Sequence, residues 1–214
     1  GEPQHMSDEL RLQIAGILND PDLKVRQFRE PLQMLVGWDQ ASQFEVSGSD
    51  NRPIFYAVEK RGFLSALLRN FNPFHQRHIE CMTLAGTQAM TVDFPFTLIF
   101  RRGEVKAWDG RLMGRVVQRF SLLRTWLDVE TPGGATQLSI VGPILKFFSF
   151  SDWVFEVRRG ETVVAKIKKH WGGFFAETFG TSDNFTIEFT DGFSDGRQRQ
   201  LLVAAALTLD LARF

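Results

Sequence analysis

Three stretches hold residues whose types and spacing could do chemistry. Arg158, Arg159, Lys166, Lys168 and Lys169 crowd one short span. In an extended strand Lys166 and Lys168 point to one side, and a turn at Gly160 would bring Arg158 or Arg159 near them. Such a cluster attracts anionic headgroups at about 1 kcal/mol per residue close to a membrane surface. The competing reading is a solvated strand face neutralised by Glu156 and Glu161. The second stretch, Arg61 to His78, interleaves Phe63, Leu64, Leu67, Leu68, Phe71 and Phe74 with Arg61, Arg69, His75, Arg77 and His78. A bulky apolar face with basic flanks suits a membrane interface, and equally a helix capping a barrel mouth. The third, His75 to Cys81, has metal-capable residues without the spacing of a zinc site. If it is a strand, His78 and Glu80 share a face and His75 does not.

Catalytic patterns are missing. No Ser or Asp stands at triad spacing from His170. The glycines sit at turn positions, not in a phosphate-cradling loop between strand and helix. The chain therefore does not read as an enzyme.

The elements that must carry these residues are mostly short β-runs. Ser7 to Asn19 reads as an amphipathic helix with Leu10, Ile14, Ile17 and Leu18 on one stripe, closed by Pro21. A partner protein or second copy docking on that stripe is one expectation. From about Gln33 turn signals recur, with hairpin tips at Gly48-Ser49-Asp50-Asn51, Asp109-Gly110, Pro132-Gly133-Gly134 and Gly160. Such regular spacing predicts a closed sheet or a sandwich. Residues 1–6 read as an appended remnant, 7–32 as N-terminal helix and linker, and 33–214 as the β domain.

The chain has 214 residues, with 25 Lys plus Arg against 25 Asp plus Glu. No net field points to nucleic acid. Twenty-one Phe against one Tyr predict a large aromatic core, and the single Cys81 excludes an internal disulfide and suits a reducing compartment. The uncharged run Gln200 to Leu209 would span about 15 Å as a helix, half of a bilayer core. Its leucines and valine surround the helical wheel, so protein must enclose it. Only a barrel of more than about eight strands has room for a helix, and the expected central helix covers about 198–212.

The residues then become recognisable. Ala165 to Phe189, AKIKKHWGGFFAETFGTSDNFTIEF, followed by a terminal apolar helix, resembles the signature of the phospholipid scramblase family. The likeness runs from about Gln33 to Phe214, through Gly114-Arg115-Val116-Val117-Gln118, Val141-Gly142-Pro143 and Phe155-Glu156-Val157. It implies a mainly β, tubby-like fold: about twelve antiparallel strands closed around the buried C-terminal helix. It also implies a peripheral phospholipid-binding protein, cytoplasmic and at the inner face of the membrane, associated with ATP-independent movement of phospholipid between leaflets. The alternative is a tubby-like module binding lipid, a small ligand or a protein without transport. From the apolar–basic stretch and the cation cluster read above, Phe63, Leu67, Arg69, Phe71, Phe74 and the five cations Arg158, Arg159, Lys166, Lys168 and Lys169 are the expected lipid-binding residues.

Calcium is the one metal the resemblance implies, through an EF-hand-like loop that aligns from Thr181. Such a loop needs oxygen donors at its first, third and fifth positions and Gly at its sixth. Here those positions hold Thr181, Asp183, Phe185 and Thr186, so three of four fail. Asp183, Asn184, Glu188 and Asp191 are the candidate ligands, and a simple turn at Asp183-Asn184 is the competing reading. The family's acylated cysteine cluster falls in Arg61 to His78, which has no cysteine.

Overall fold

The computed structural model describes residues 6, 8–28, 40–60, 77–95, 101–144, 153–170 and 181–211. Helix α1 (Asp8–Asn19) leads into β1 (Asp22–Phe28), β2 (Gln40–Gly48), β3 (Pro53–Lys60), β4 (Arg77–Met82), β5 (Gln88–Phe94) and β6 (Arg102–Ala107). Then follow β7 (Leu112–Gln118), β8 (Arg124–Glu130), β9 (Thr136–Ile144), β10 (Trp153–Arg159), β11 (Thr162–His170), β12 (Thr181–Phe189) and helix α2 (Gly196–Leu211). Each strand pairs with the next in sequence, and β1 pairs with β12 to close a barrel of twelve antiparallel strands. Closure leaves no edge strand to template aggregation.

Alternation decides what fills the interior. Leu23 and Val25, Phe44 and Val46, Phe55 and Ala57, Phe155 and Val157, and Phe185 and Ile187 occupy every second position of their strands and are buried. Helix α2 is enclosed within this apolar wall, and every residue from Leu201 to Leu209 is at most 2% exposed. Ala204, Ala205 and Ala206 keep the helix slender at its middle, and Gly114 of β7 makes room for Leu201. A Cβ on Gly114 would lie 2.5 Å from the Glu130 carbonyl and 3.1 Å from Leu201. Asp195 caps α2, its Oδ1 accepting the Gln198 N–H at 3.0 Å.

The two rims of the barrel differ. One carries the tight turns between β2 and β3, β4 and β5, β6 and β7, β8 and β9, and β10 and β11, with Asn51, Gly86, Gly110, Gly134 and Gly160 in the left-handed region. Helix α1 packs against α2 at this turn rim and buries Leu10 and Ile17 in the core. Arg199 of α2 fastens the junction: its guanidinium donates to the carbonyls of Ile17 at 2.8 Å and Phe193 at 2.7 Å, and to that of Asp20, over the Phe189 ring. The chain crosses the other rim between β1 and β2, β3 and β4, β5 and β6, β7 and β8, β9 and β10, and β11 and β12. We call this the loop rim.

Two expectations change. The stretch 7–32 is not helix plus linker, since β1 pairs on both edges and is a wall of the barrel. Met6, placed in the remnant, packs against the core. The alternation of Leu23 and Val25 marks β1, but Lys24 between them and Arg26 and Gln27 after them mask it.

Candidate functional site

The five basic residues of β10 and β11 separate into distinct environments. On the outer face, Glu156 of β10 and Glu188 of β12 are the register partners of Lys166. Lys168 donates to Glu188 at 2.7 Å, and Arg158 donates to Glu156 at 3.0 Å from Nε. Lys166 is exposed, and no described side chain bonds it. Lys169 has the opposite parity, faces inward, and lies 5.4 Å from the centre of the Phe185 ring. Arg159 stands at the turn rim, donating to Gln198 at 2.6 Å and lying over Phe193. Strand alternation therefore brings Lys166, Lys168 and Arg158 together on one face with two glutamates, and sends Lys169 and Arg159 elsewhere.

The backbone that carries Asp183, Asn184 and Glu188, three of the four expected calcium ligands, is strand and not loop. β12 is extended through Thr181–Phe189, and Asn184 is in register with Arg26 and His170, so Asp183-Asn184 is strand and not turn. From Asp183 to Asp191 an extended chain covers about 26 Å, against the 2.3–2.6 Å bonds of a calcium shell. Glu188 is bonded to Lys168, and Asp191 lies exposed in the turn before α2. The side chains of Asp183 and Asn184 lie outside the described residues. The arrangement does not fit a calcium loop.

Phe63, Leu67, Arg69, Phe71 and Phe74 also lie outside the described residues. The strands that bracket them, β3 and β4, end and begin at the loop rim. On the outer face beside that rim, His78 sits between Asp93 and Glu80, with Nε2 3.2 Å from Glu80. Lys60 holds Glu80 at 2.7 Å and Lys106 holds Asp93 at 3.0 Å, so His78 and Glu80 do share a face, inside an ion-pair ladder. Burial alone would raise the Asp93 carboxyl, but the bonds from His78 and Lys106 outweigh it and hold the group below its ordinary value.

One feature of the loop rim escaped the sequence reading. The loop from β7 to β8 presents Phe120, Leu122 and Leu123 at 70, 78 and 63% exposure. Ile144 and Val154, at the loop-rim ends of β9 and β10, are also exposed. The base of the loop is braced. Arg119 N–H donates to the Trp126 carbonyl at 2.8 Å, and its guanidinium reaches Asp128 at 2.7 Å and Glu130 at 2.6 Å. Asp128 further accepts from Trp126 Nε1 at 3.0 Å and Ser139 Oγ at 2.9 Å. The available signal was RFSLLR, an apolar tip between two arginines; period-2 reading runs past it.

The matching family model, "Scramblase", spans residues 3–214. The chain belongs to the scramblase family. It is 28% identical to rat phospholipid scramblase 1 over 203 residues, covering 89% of this chain and 58% of that protein. Bovine phospholipid scramblase 2 is 26% identical over 205 residues, 90% of this chain and 68% of that protein. Human phospholipid scramblase family member 5 is 26% identical over 177 residues, 76% of this chain and 63% of that protein. The chain thus spans about three fifths of the length of the first of these relatives. No solved structure matches it. Within the region of likeness lie α1, the twelve strands and the enclosed helix α2. No described helix is long and apolar enough to cross a membrane.

Proposed function

We propose that this scramblase domain binds anionic phospholipid at the cytoplasmic surface of a membrane, as a peripheral protein, and serves ATP-independent movement of phospholipid between leaflets. The observation that carries this reading is the family match across residues 3–214. Burial of α2 supports contact through the barrel surface, because the most apolar helix is engaged on all sides. In this reading Lys166, with Lys168 and Arg158 beside it, meets headgroups electrostatically, and Phe63, Leu67, Arg69, Phe71 and Phe74 enter the interface from the segment joining β3 to β4. Lys169 and Arg159, turned inward or to the turn rim, contribute less. No covalent step is involved; binding and positioning of lipid are the whole of the chemistry.

Co-sedimentation of the chain with vesicles tests the proposal. Binding to phosphatidylserine vesicles and not to neutral ones, weakened as salt rises, is the expected result. Lys166→Glu with Lys168→Glu lowers that binding, by roughly thirtyfold if each reversal removes one headgroup contact of about 1 kcal/mol. Unchanged binding of the double variant removes the outer face of β11 from the reading. Given the extended β12, chelator leaves binding unaltered; a calcium-dependent gain would restore the Asp183–Asp191 segment as a ligand. Absence of binding to every vesicle rejects the phospholipid reading as a whole.

A further inference from the structure

Resting on the phospholipid reading, we propose that the β7–β8 loop, Phe120 to Arg124, is a wedge that enters the headgroup–acyl boundary of an anionic bilayer. Three of its five residues are large, apolar and more than 60% exposed, in the bend between β7 and β8 at the loop rim. Scattered apolar residues need no explanation, but three within four positions on a braced bend do. Anchoring of Arg119 to Asp128 and Glu130, and of the Trp126 ring nitrogen to Asp128, fixes the tip before any partner arrives. A preordered tip gives up little conformational freedom on insertion.

Charge and shape at the base of the loop select the occupant. Arg124 follows Leu123 directly, and no described side chain bonds it. Across from it β9 stays paired with β8 out to Ile144, yet leaves β10 beyond Val141. The parting opens a groove of about 240 Å³ lined by Arg124, Pro143, Ile144, Val154, Glu156 and Arg158. The groove is mixed: Pro143, Ile144 and Val154 give it an apolar side, and the Glu156 carboxylate is engaged by Arg158. This leaves the Arg124 guanidinium, one step behind the apolar tip, to meet a phosphate with acyl chains beside it. Arg102, also exposed and unbonded by any described side chain, stands on the adjoining strand β6 at the same rim. Trp126, half-exposed with its ring nitrogen bonded, has the amphipathic character of interfacial tryptophans. A protein partner would instead have to bury Arg124, a cation that no described side chain bonds, beside the apolar tip, a poor fit to the depleted charge of interface cores.

The test is a single-site label. Cys81 is wholly buried and its thiol is pushed up to about 12, so it leaves an added cysteine as the reactive one. Leu122→Cys at the tip and Ala85→Cys in a turn at the opposite rim each receive an environment-sensitive fluorophore. On phosphatidylserine vesicles the label at 122 brightens severalfold and is quenched by nitroxide-bearing lipid; that at 85 keeps its aqueous spectrum. In co-sedimentation, Leu122→Ser with Leu123→Ser weakens binding on the order of tenfold or more, with an unchanged melting curve. Arg124→Gln weakens it about fivefold on anionic vesicles only. If the vesicles bind while the label at 122 stays in water, the wedge is overturned and the phospholipid reading stands. If nothing binds any vesicle, both fall. A mass that rises with concentration in the parent but not in the double serine variant, with lipid binding intact, assigns the tip to a second copy and likewise overturns the wedge.

Discussion

Arg199 shows how one charged side chain can hold a junction that apolar contact alone would leave open. Helix α1 ends with carbonyls that have no partner within the helix, and the Arg199 guanidinium collects those of Ile17 and Asp20 together with that of Phe193. Desolvation lowers its proton affinity, yet the carbonyl shell and the Phe189 ring keep it charged. Arg199→Met keeps most of the volume and strands the carbonyls; unfolding in urea is expected to show a loss of about 3 kcal/mol. Asp93 carries a pH dependence whose sign follows from its lowered value. Its ordinary value is 3.8, and the folded one lies below that. The ionised group therefore stabilises the fold fully above about pH 4, and this is lost as pH falls through the folded value. Asp93→Asn should be less stable than the parent at pH 7, and the gap should close as a pH series of thermal melts descends below 4. A constant gap would show that the His78–Asp93–Lys106 contacts do not act through ionisation.

At the scale of the element, strand and helix are matched by size. Gly114 on β7 leaves no space for a side chain, because the Glu130 carbonyl on β8 and Leu201 on α2 already fill it. Gly114→Val forces either the β7–β8 pairing or the seat of α2 to shift; overpacking of this kind costs about 1–3 kcal/mol, and more when backbone is the obstacle. Calorimetry of the variant, and of the relieving pair Gly114→Val with Leu201→Ala, separates the two. Rescue by the pair assigns the strain to the helix, and no rescue assigns it to the strand. The hairpins follow from simpler rules. Gly110 and Gly134 adopt a left-handed backbone in turns closed by N–H bonds of 2.9 Å to Ala107 and Thr131.

For the whole molecule, the barrel and its helix form one cooperative unit. Leu201, Leu202, Val203, Leu207 and Leu209 are all buried, and their removal from water is worth about 10 kcal/mol before the residual burial of the unfolded chain is discounted. That equals the entire stability of an ordinary domain. A chain ending at Asp195 is expected to show no cooperative thermal transition and to bind hydrophobic dye. A folded, co-sedimenting truncation would mean that the strands close without their filling. The meander topology also sets the polarity of the molecule. Because every strand reverses at the next, hairpin turns collect at one end with α1, while the other end receives the braced β7–β8 tip and Arg124.

The sequence by itself determined what is local or periodic. Four hairpin tips were legible because Asn-Gly-type and Gly-rich turns act over a few residues, and the core status of α2 because ten uncharged residues cannot span a bilayer yet are apolar all round. The family signature at Ala165 to Phe189 was legible as well. Tertiary structure alone decided the rest. That β1 belongs to the wall depends on β12, more than 150 residues away, since its own polar alternate residues hide the strand. The division of the five cations depends on a shared strand parity and on Glu156 and Glu188 arriving from neighbouring strands. The exposure of Phe120, Leu122 and Leu123 is the clearest case: their composition reads as core, and only the closed barrel places them at a rim and outside the apolar interior. Burial is a property of what surrounds a residue, and a one-dimensional pattern does not contain its surroundings.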